Sequence, residues 1–254
     1  MKSPRRALLS LLLPVLLAAA AGARAAEDGP ACDAPPELLE AGAPLPTTSR
    51  AVSGGSLRIL VVGSASVLGP GTSGPAAAWP ARLEALLAAR HPGLKVETSV
   101  RGAPGLTATD AVAVIKEELR RNPAHLVLWQ TGAVETARNL DLDELAAALD
   151  NGLTRTNLAG ADAVLIDPQF SRFLRANANV EAYREAMRLA AAAHNAPLFR
   201  RYDLMQAWAD ADKVDMERAP RSARVAVTDR LNDCLARAMA LMLEDGIEAS
   251  KPRP

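Results

Sequence analysis

The residues Leu57-Arg58-Ile59-Leu60-Val61-Val62-Gly63-Ser64-Ala65-Ser66-Val67-Leu68-Gly69 constrain the fold more than any other part of this 254-residue chain. A run of apolar, mostly branched residues closed by Gly fits a parallel strand buried on both faces. Such a strand needs partner strands beside it and helices above and below. The small-residue turn that follows lies at its carboxyl end, where open α/β sheets bind their ligands. Ser64 and Ser66 place two hydroxyls in that turn, on either side of Ala65.

Downstream the pattern alternates between strand and helix periods. Strands are predicted at 57–62, 94–100, 125–129, 161–167 and 197–200. Helices are predicted near 77–90, 107–121, 141–159 and 177–194, with helical pieces around 203–218 and a final helix at 230–245. Lys95, Glu97 and Ser99 alternate with apolar residues in the second strand, which suits a sheet edge with one wetter face. Alternation at this spacing predicts an α/β fold, a three-layer α/β/α sandwich of flavodoxin-like topology. Its five-stranded parallel sheet takes the order 2-1-3-4-5.

The amino-terminal end reads as an export signal. Lys2, Arg5 and Arg6 precede the apolar stretch Ala7 to Ala21, and Ala23-Arg24-Ala25 forms a small-x-small cleavage site. That stretch is shorter than the ~20 residues a membrane-spanning helix needs, which favours a cleaved signal over an anchor. The chain carries 29 basic and 29 acidic residues, and losing Lys2, Arg5, Arg6 and Arg24 leaves 25 against 29, a net charge of −4. With no basic block, neither nucleic acid nor an anionic membrane surface is an expected partner. Residues 26–56, with Pro30, Pro35, Pro36, Pro44 and Pro46, are expected to form an extended arm. One domain then covers 57–245, and 246–254 is a short tail. An exported compartment permits a Cys32–Cys234 disulfide that staples the arm to the last helix. The alternative is a free Cys32 with Cys234 packed as a small apolar residue.

Four short blocks, in order and after the right strands, carry a resemblance to the SGNH (GDSL) hydrolases, a family of esterases and acyl hydrolases on this fold. The turn Gly63-Ser64-Ala65-Ser66 through Gly69-Pro70-Gly71 is similar to a Gly-Ser-Ser-Ser subgroup found among exported bacterial proteins. The resemblance places the family's nucleophile at Ala65 and a backbone donor of its oxyanion hole at Gly102. It places the Asn donor of the third block at Val134, within Trp129-Gln130-Thr131-Gly132-Ala133-Val134-Glu135. The final Asp-x-x-His block matches Asp229-Arg230-Leu231-Asn232-Asp233-Cys234, which keeps the Asp and loses the His, read here as a short deletion. The family's roles therefore carry over only to Gly102 and Asp229.

Hydrolysis needs a hydroxyl, a base within about 3 Å of it, and donors for the developing oxyanion. Ser64 and Ser66 are the available hydroxyls. His91, His125 and His194 each precede a strand, at the edge opposite the turn, and a five-residue strand separates those edges by roughly 17 Å. Glu135 and Asp229 are expected near the mouth, but carboxylates of ordinary pKa near 4 activate a serine poorly. Asp229 also suits a cap on the last helix. Gln130, Thr131, Glu135 and Gln169 add polar groups at the same edge, a lining suited to a sugar or an acylated small molecule. Arg200-Arg201 follow the fifth strand and are expected on the surface, paired with acids such as Asp203. No metal or other cofactor is implied: neither a ligand cluster nor a phosphate loop with its Lys occurs.

The leading expectation is an exported binding or accessory module, periplasmic or secreted, whose ligand belongs to the cell-envelope glycans. An active esterase or acyltransferase using Ser64 or Ser66 is the alternative, and a structural role without a ligand is a third.

Overall fold

The computed structural model describes residues 32–251. The export signal expected at 1–25 lies outside the described residues. Five strands form one parallel sheet in the order β2-β1-β3-β4-β5. They are β1 (Ser56–Gly63), β2 (Lys95–Gly102), β3 (Leu126–Gln130), β4 (Asp162–Ile166) and β5 (Leu198–Phe199). The predicted sheet order and layer architecture are what the chain adopts.

Side chains alternate across the central strands with period two. Leu57, Ile59, Val61, Leu126, Leu128, Val164 and Ile166 face one core. Leu60, Val62, Val127, Trp129, Ala163 and Leu165 face the other. The first core is roofed by α2 (Trp79–Arg90), α8 (Arg201–Asp210) and α9 (Arg224–Glu248). The second is roofed by α3 (Ala108–Arg121), α5 (Leu142–Leu158) and α7 (Val180–Ala193). Strand β2 is half-covered and alternately exposed, as an edge strand with one wet face should be.

Local chemistry sets the helix starts. Thr107 and Asp110 form a reciprocal capping box on α3, Asp141 accepts from Asp143 and Glu144 N–H on α5, and Asn179 caps α7. Gly132 sits at φ +82° between β3 and the short helix α4 (Ala133–Arg138). A Cβ there would also come within 2.8 Å of Met187 Sδ, so both backbone and packing call for glycine.

Three expectations need correction. The arm is not wholly extended: it contains α1 (Pro46–Ser53), started by Pro at its first position, where a missing N–H costs nothing. Thr48 N–H in that first turn donates to Asp162 Oδ2 at 2.7 Å, which ties α1 to the amino end of β4. The expected tail at 246 instead continues α9 to Glu248, and Gly246 C=O accepts from Leu45 N–H at 3.0 Å. Between β4 and α7 an unforeseen helix, α6 (Arg172–Asn177), takes one and a half turns. Cys32 and Cys234 are bonded, with an S–S distance of 2.06 Å, and this closes the arm onto α9.

Candidate functional site

The site is built at the carboxyl ends of β1, β3, β4 and β5. Strand β1 ends at Gly63, and the chain turns through Ser64 into a 3-10 turn, Ala65–Leu68. Gly63 stands opposite Gly102 of β2, and Val67 packs over both: a Cβ on Gly63 would lie 2.8 Å from Val67, and one on Gly102 2.6 Å. The two glycines let this turn lie flat on the sheet edge. Ser64, Ala65 and Ser66 remain half-buried.

Gln130, the last residue of β3 and 2% exposed, meets that turn. Its Nε2 donates to Ser66 Oγ at 2.6 Å and to Ser64 Oγ at 3.2 Å. Its Oε1 accepts from Arg201 Nη1 at 2.7 Å, and the same nitrogen lies 3.4 Å from Ser66 Oγ. Arg201 is the first residue of α8, immediately beyond β5, and is only 3% exposed. The expectation of a surface arginine is therefore wrong for Arg201. It holds for Arg200, whose Nε pairs with Asp203 at 2.8 Å. Arg201 Nε and Nη2 have no hydrogen-bond partner among the described residues. Burial lowers its pKa to about 10 despite the attraction of Asp167, so the guanidinium stays charged at neutral pH.

Asp167 follows β4 and is 1% exposed. Its Oδ1 accepts Tyr202 N–H at 2.8 Å, and its Oδ2 pairs with Arg184 Nε at 3.1 Å. Burial pushes its carboxyl up to about 6, against the opposing pull of Tyr202 N–H, Arg184 and Arg201. Arg184 is further held by Asp203 and Glu181 and lies 4.3 Å from the Tyr202 ring centroid. This network positions the first turn of α8, and with it Arg201.

Other residues singled out from the sequence go elsewhere. Glu135 is buried, and its Oε1 accepts Ala108 N–H at 2.5 Å; it serves the start of α3 rather than facing the pocket mouth. Its Oε2 has no partner among the described residues. Thr131 is buried with its Oγ1 unpartnered among the described residues, Gln169 is exposed, and Val134 is half-buried in α4. Gly102 is at the edge where it was expected. Asp229 lies inside α9 rather than capping it, and its Oδ1 accepts Ser73 N–H at 2.9 Å. Hydrogen bonding from Ser73, side chain and then backbone, holds this carboxyl below its usual range. No deletion is needed in the last block either. Asn232 stands three residues after Asp229, is buried, and its Oδ1 accepts Trp79 N–H at the start of α2, at 2.9 Å.

All three histidines lie at the amino edge. Arg58 N–H donates to His125 Nδ1 at 3.1 Å, and His125 N–H to Arg58 C=O at 2.9 Å. Six residues of strand separate Arg58 from Ser64, about 20 Å at ~3.3 Å per residue. Burial, and then the charge of Arg58, lowers the pKa of His125. His194 Nε2 lies 2.8 Å from Asp150 Oδ1, and His91 Nε2 lies 3.9 Å from Glu244 Oε1.

This sheet order, with a serine-bearing turn after β1, defines the SGNH-hydrolase class of α/β proteins. The chain belongs to the non-GDSL lipase-like family, whose model matches residues 31–249. Among solved structures it is similar to a catalytic mutant of Axe2, an acetylxylan esterase from Geobacillus stearothermophilus. That match has 18% identity, covers 72% of this chain and 94% of the other, and has a TM-score of 0.58. TesA is similar at 18% identity, with 71% and 97% covered and a TM-score of 0.56. The psychrotrophic esterase EstA from Pseudoalteromonas sp. is similar at 14% identity, with 71% and 97% covered and a TM-score of 0.54. At these identities the likeness is one of fold. Comparison with curated proteins found no match.

Proposed function

We propose that this chain is an exported SGNH-fold binding module that holds a cell-envelope glycan or an acylated small molecule and does not hydrolyse it. One observation carries the reading: the side-chain groups bonded to Ser64 and Ser66 are an amide N–H and a guanidinium, both donors. Neither can accept a proton. A serine attacks an ester only as its proton leaves to a base within hydrogen-bond reach. The position that the family gives to its nucleophile carries a methyl group, Ala65. The disulfide supports export, because such bonds persist in oxidising compartments. No helix among the described residues is long and apolar enough to cross a membrane.

The test has two arms. Turnover of short-chain p-nitrophenyl esters is expected to equal that of the Ser64→Ala/Ser66→Ala double variant. Binding to an array of cell-envelope glycan fragments and their acetylated forms is expected without change in their mass. Serine-dependent turnover would instead assign the chain as an esterase or acyltransferase. Absence of any array binding would remove the module reading.

A further inference from the structure

The hydrogen bonds around Gln130 have a fixed direction, and that direction selects a ligand. Arg201 Nη1 can only donate, so the Gln130 atom facing it must be the carbonyl oxygen. The amide nitrogen is thereby turned toward the serines, where it too can only donate. Ser64 Oγ and Ser66 Oγ must therefore accept, and their own hydrogens point away from Gln130. The relay runs from a buried cation, through an amide, to two half-exposed hydroxyls. It ends in two O–H groups whose hydrogens Gln130 does not take up. The amide's carbonyl, the natural acceptor for a ligand hydroxyl, already accepts from Arg201.

We propose that the turn Ser64–Ser66 is a binding site for an anionic oxygen group, a carboxylate or a phosphate carried on a polar ligand. This rests on the reading of the pocket as a binding site and narrows what it binds. A neutral sugar offers donors and acceptors in equal measure, and its donors would compete for oxygens that already accept from Gln130 and Arg201. An oxyanion offers acceptors alone, which complements two hydroxyls backed by a guanidinium. Charge-assisted O–H···O⁻ bonds are also the stronger kind. Among the described residues Arg201 makes no hydrogen bond to a carboxylate, and its Nε and Nη2 lack partners; Asp167 attracts it without a hydrogen bond and is itself held by Arg184 and Tyr202 N–H.

The experiment is an NMR titration of the ¹⁵N-labelled, oxidised protein with acetate, inorganic phosphate and acetamide, the last a neutral match for acetate. Acetate or phosphate is expected to shift the backbone amide signals of Ser64, Ser66 and Gln130 and the Gln130 side-chain amide signal, and to bind about tenfold or more tightly than acetamide. A preference between the two anions identifies the ligand's group as carboxylate or phosphate. Gln130→Glu supplies Arg201 with a carboxylate and turns the serine hydrogens inward. It is expected to abolish anion binding while leaving the melting temperature unchanged or higher. Ser64→Ala/Ser66→Ala, at half-exposed positions, gives the same loss should Gln130→Glu fail to fold. Acetamide binding as well as the anions would overturn the inference. So would anion binding that survives in both variants, or no binding of any probe. Neutral glycan fragments binding where anions do not would overturn it too, and would leave the binding-module reading standing.

Discussion

At Gln130 a single amide sets the hydroxyl directions of Ser64 and Ser66, and it does so because Arg201 cannot accept. Placing a serine at Ala65, the position the resemblance gives to a nucleophile, does not change this. Ala65→Ser is expected to leave ester turnover within about tenfold of the parent, because a positioned base contributes roughly 10²–10⁴ in rate and the side chains bonded to this turn among the described residues are donors. Steady-state kinetics on a short-chain ester measures this, and a recovery of several hundredfold would reveal an unrecognised acceptor. Asp167 makes a second prediction, in pH. Its folded pKa of about 6 lies above the usual 3.8. Between those values the folded state holds a proton that the unfolded state has lost, so stability falls as pH rises through that window. Relative to Asp167→Asn, the parent is expected to lose up to about 3 kcal/mol between roughly pH 4 and pH 6, and nothing further above. Urea unfolding of both proteins at a series of pH values reads the difference. A parent that gains stability across the window would mean that Arg184 outweighs burial.

Among the elements, α5 lies close against β3 at Gly152. A Cβ on Gly152 would lie 2.3 Å and 2.5 Å from two ring carbons of Trp129. Gly152→Ala is therefore expected to destabilise by about 1–3 kcal/mol through overpacking, even though alanine favours the helix. Chemical denaturation measures it, and a stabilised variant would mean the Trp129 ring moves freely. The same strands explain what could be read in advance. β1, β3 and β4 are legible because two buried faces demand unbroken apolar runs, and the helices between them because one buried face demands a stripe. α4 and α6, at six residues each, are too short to show a period. α1 was hidden by prolines that read as extended chain, although Pro46 occupies the position where a helix accepts one. Ser64, Ser66 and Gln130 could be found from their place after β1 and β3. Arg201 could not, because arginine is exposed by default and its burial depends on partners from β3 and β4. Its place two residues after β5, at the start of α8, was the available signal.

Taken whole, the molecule keeps its imidazoles on one edge of the sheet and Ser64 and Ser66 on the other. The arm and α9 close the structure around the first core, with Cys32 bonded to Cys234 across 202 residues of sequence. A loop of that length constrains the unfolded chain strongly, so replacing both cysteines by serine is expected to cost about 2–5 kcal/mol. Comparison of urea midpoints measures this, and equal stability would mean the arm is held by α1 and Leu45 alone. None of these contacts shortens the path of about 20 Å between His125 and Ser64. The most direct measurement is intact-mass analysis after incubation with a fluorophosphonate probe. No adduct is expected at any pH where the protein is folded. An adduct on Ser64 or Ser66, lost when that residue is changed to alanine, would contradict the account.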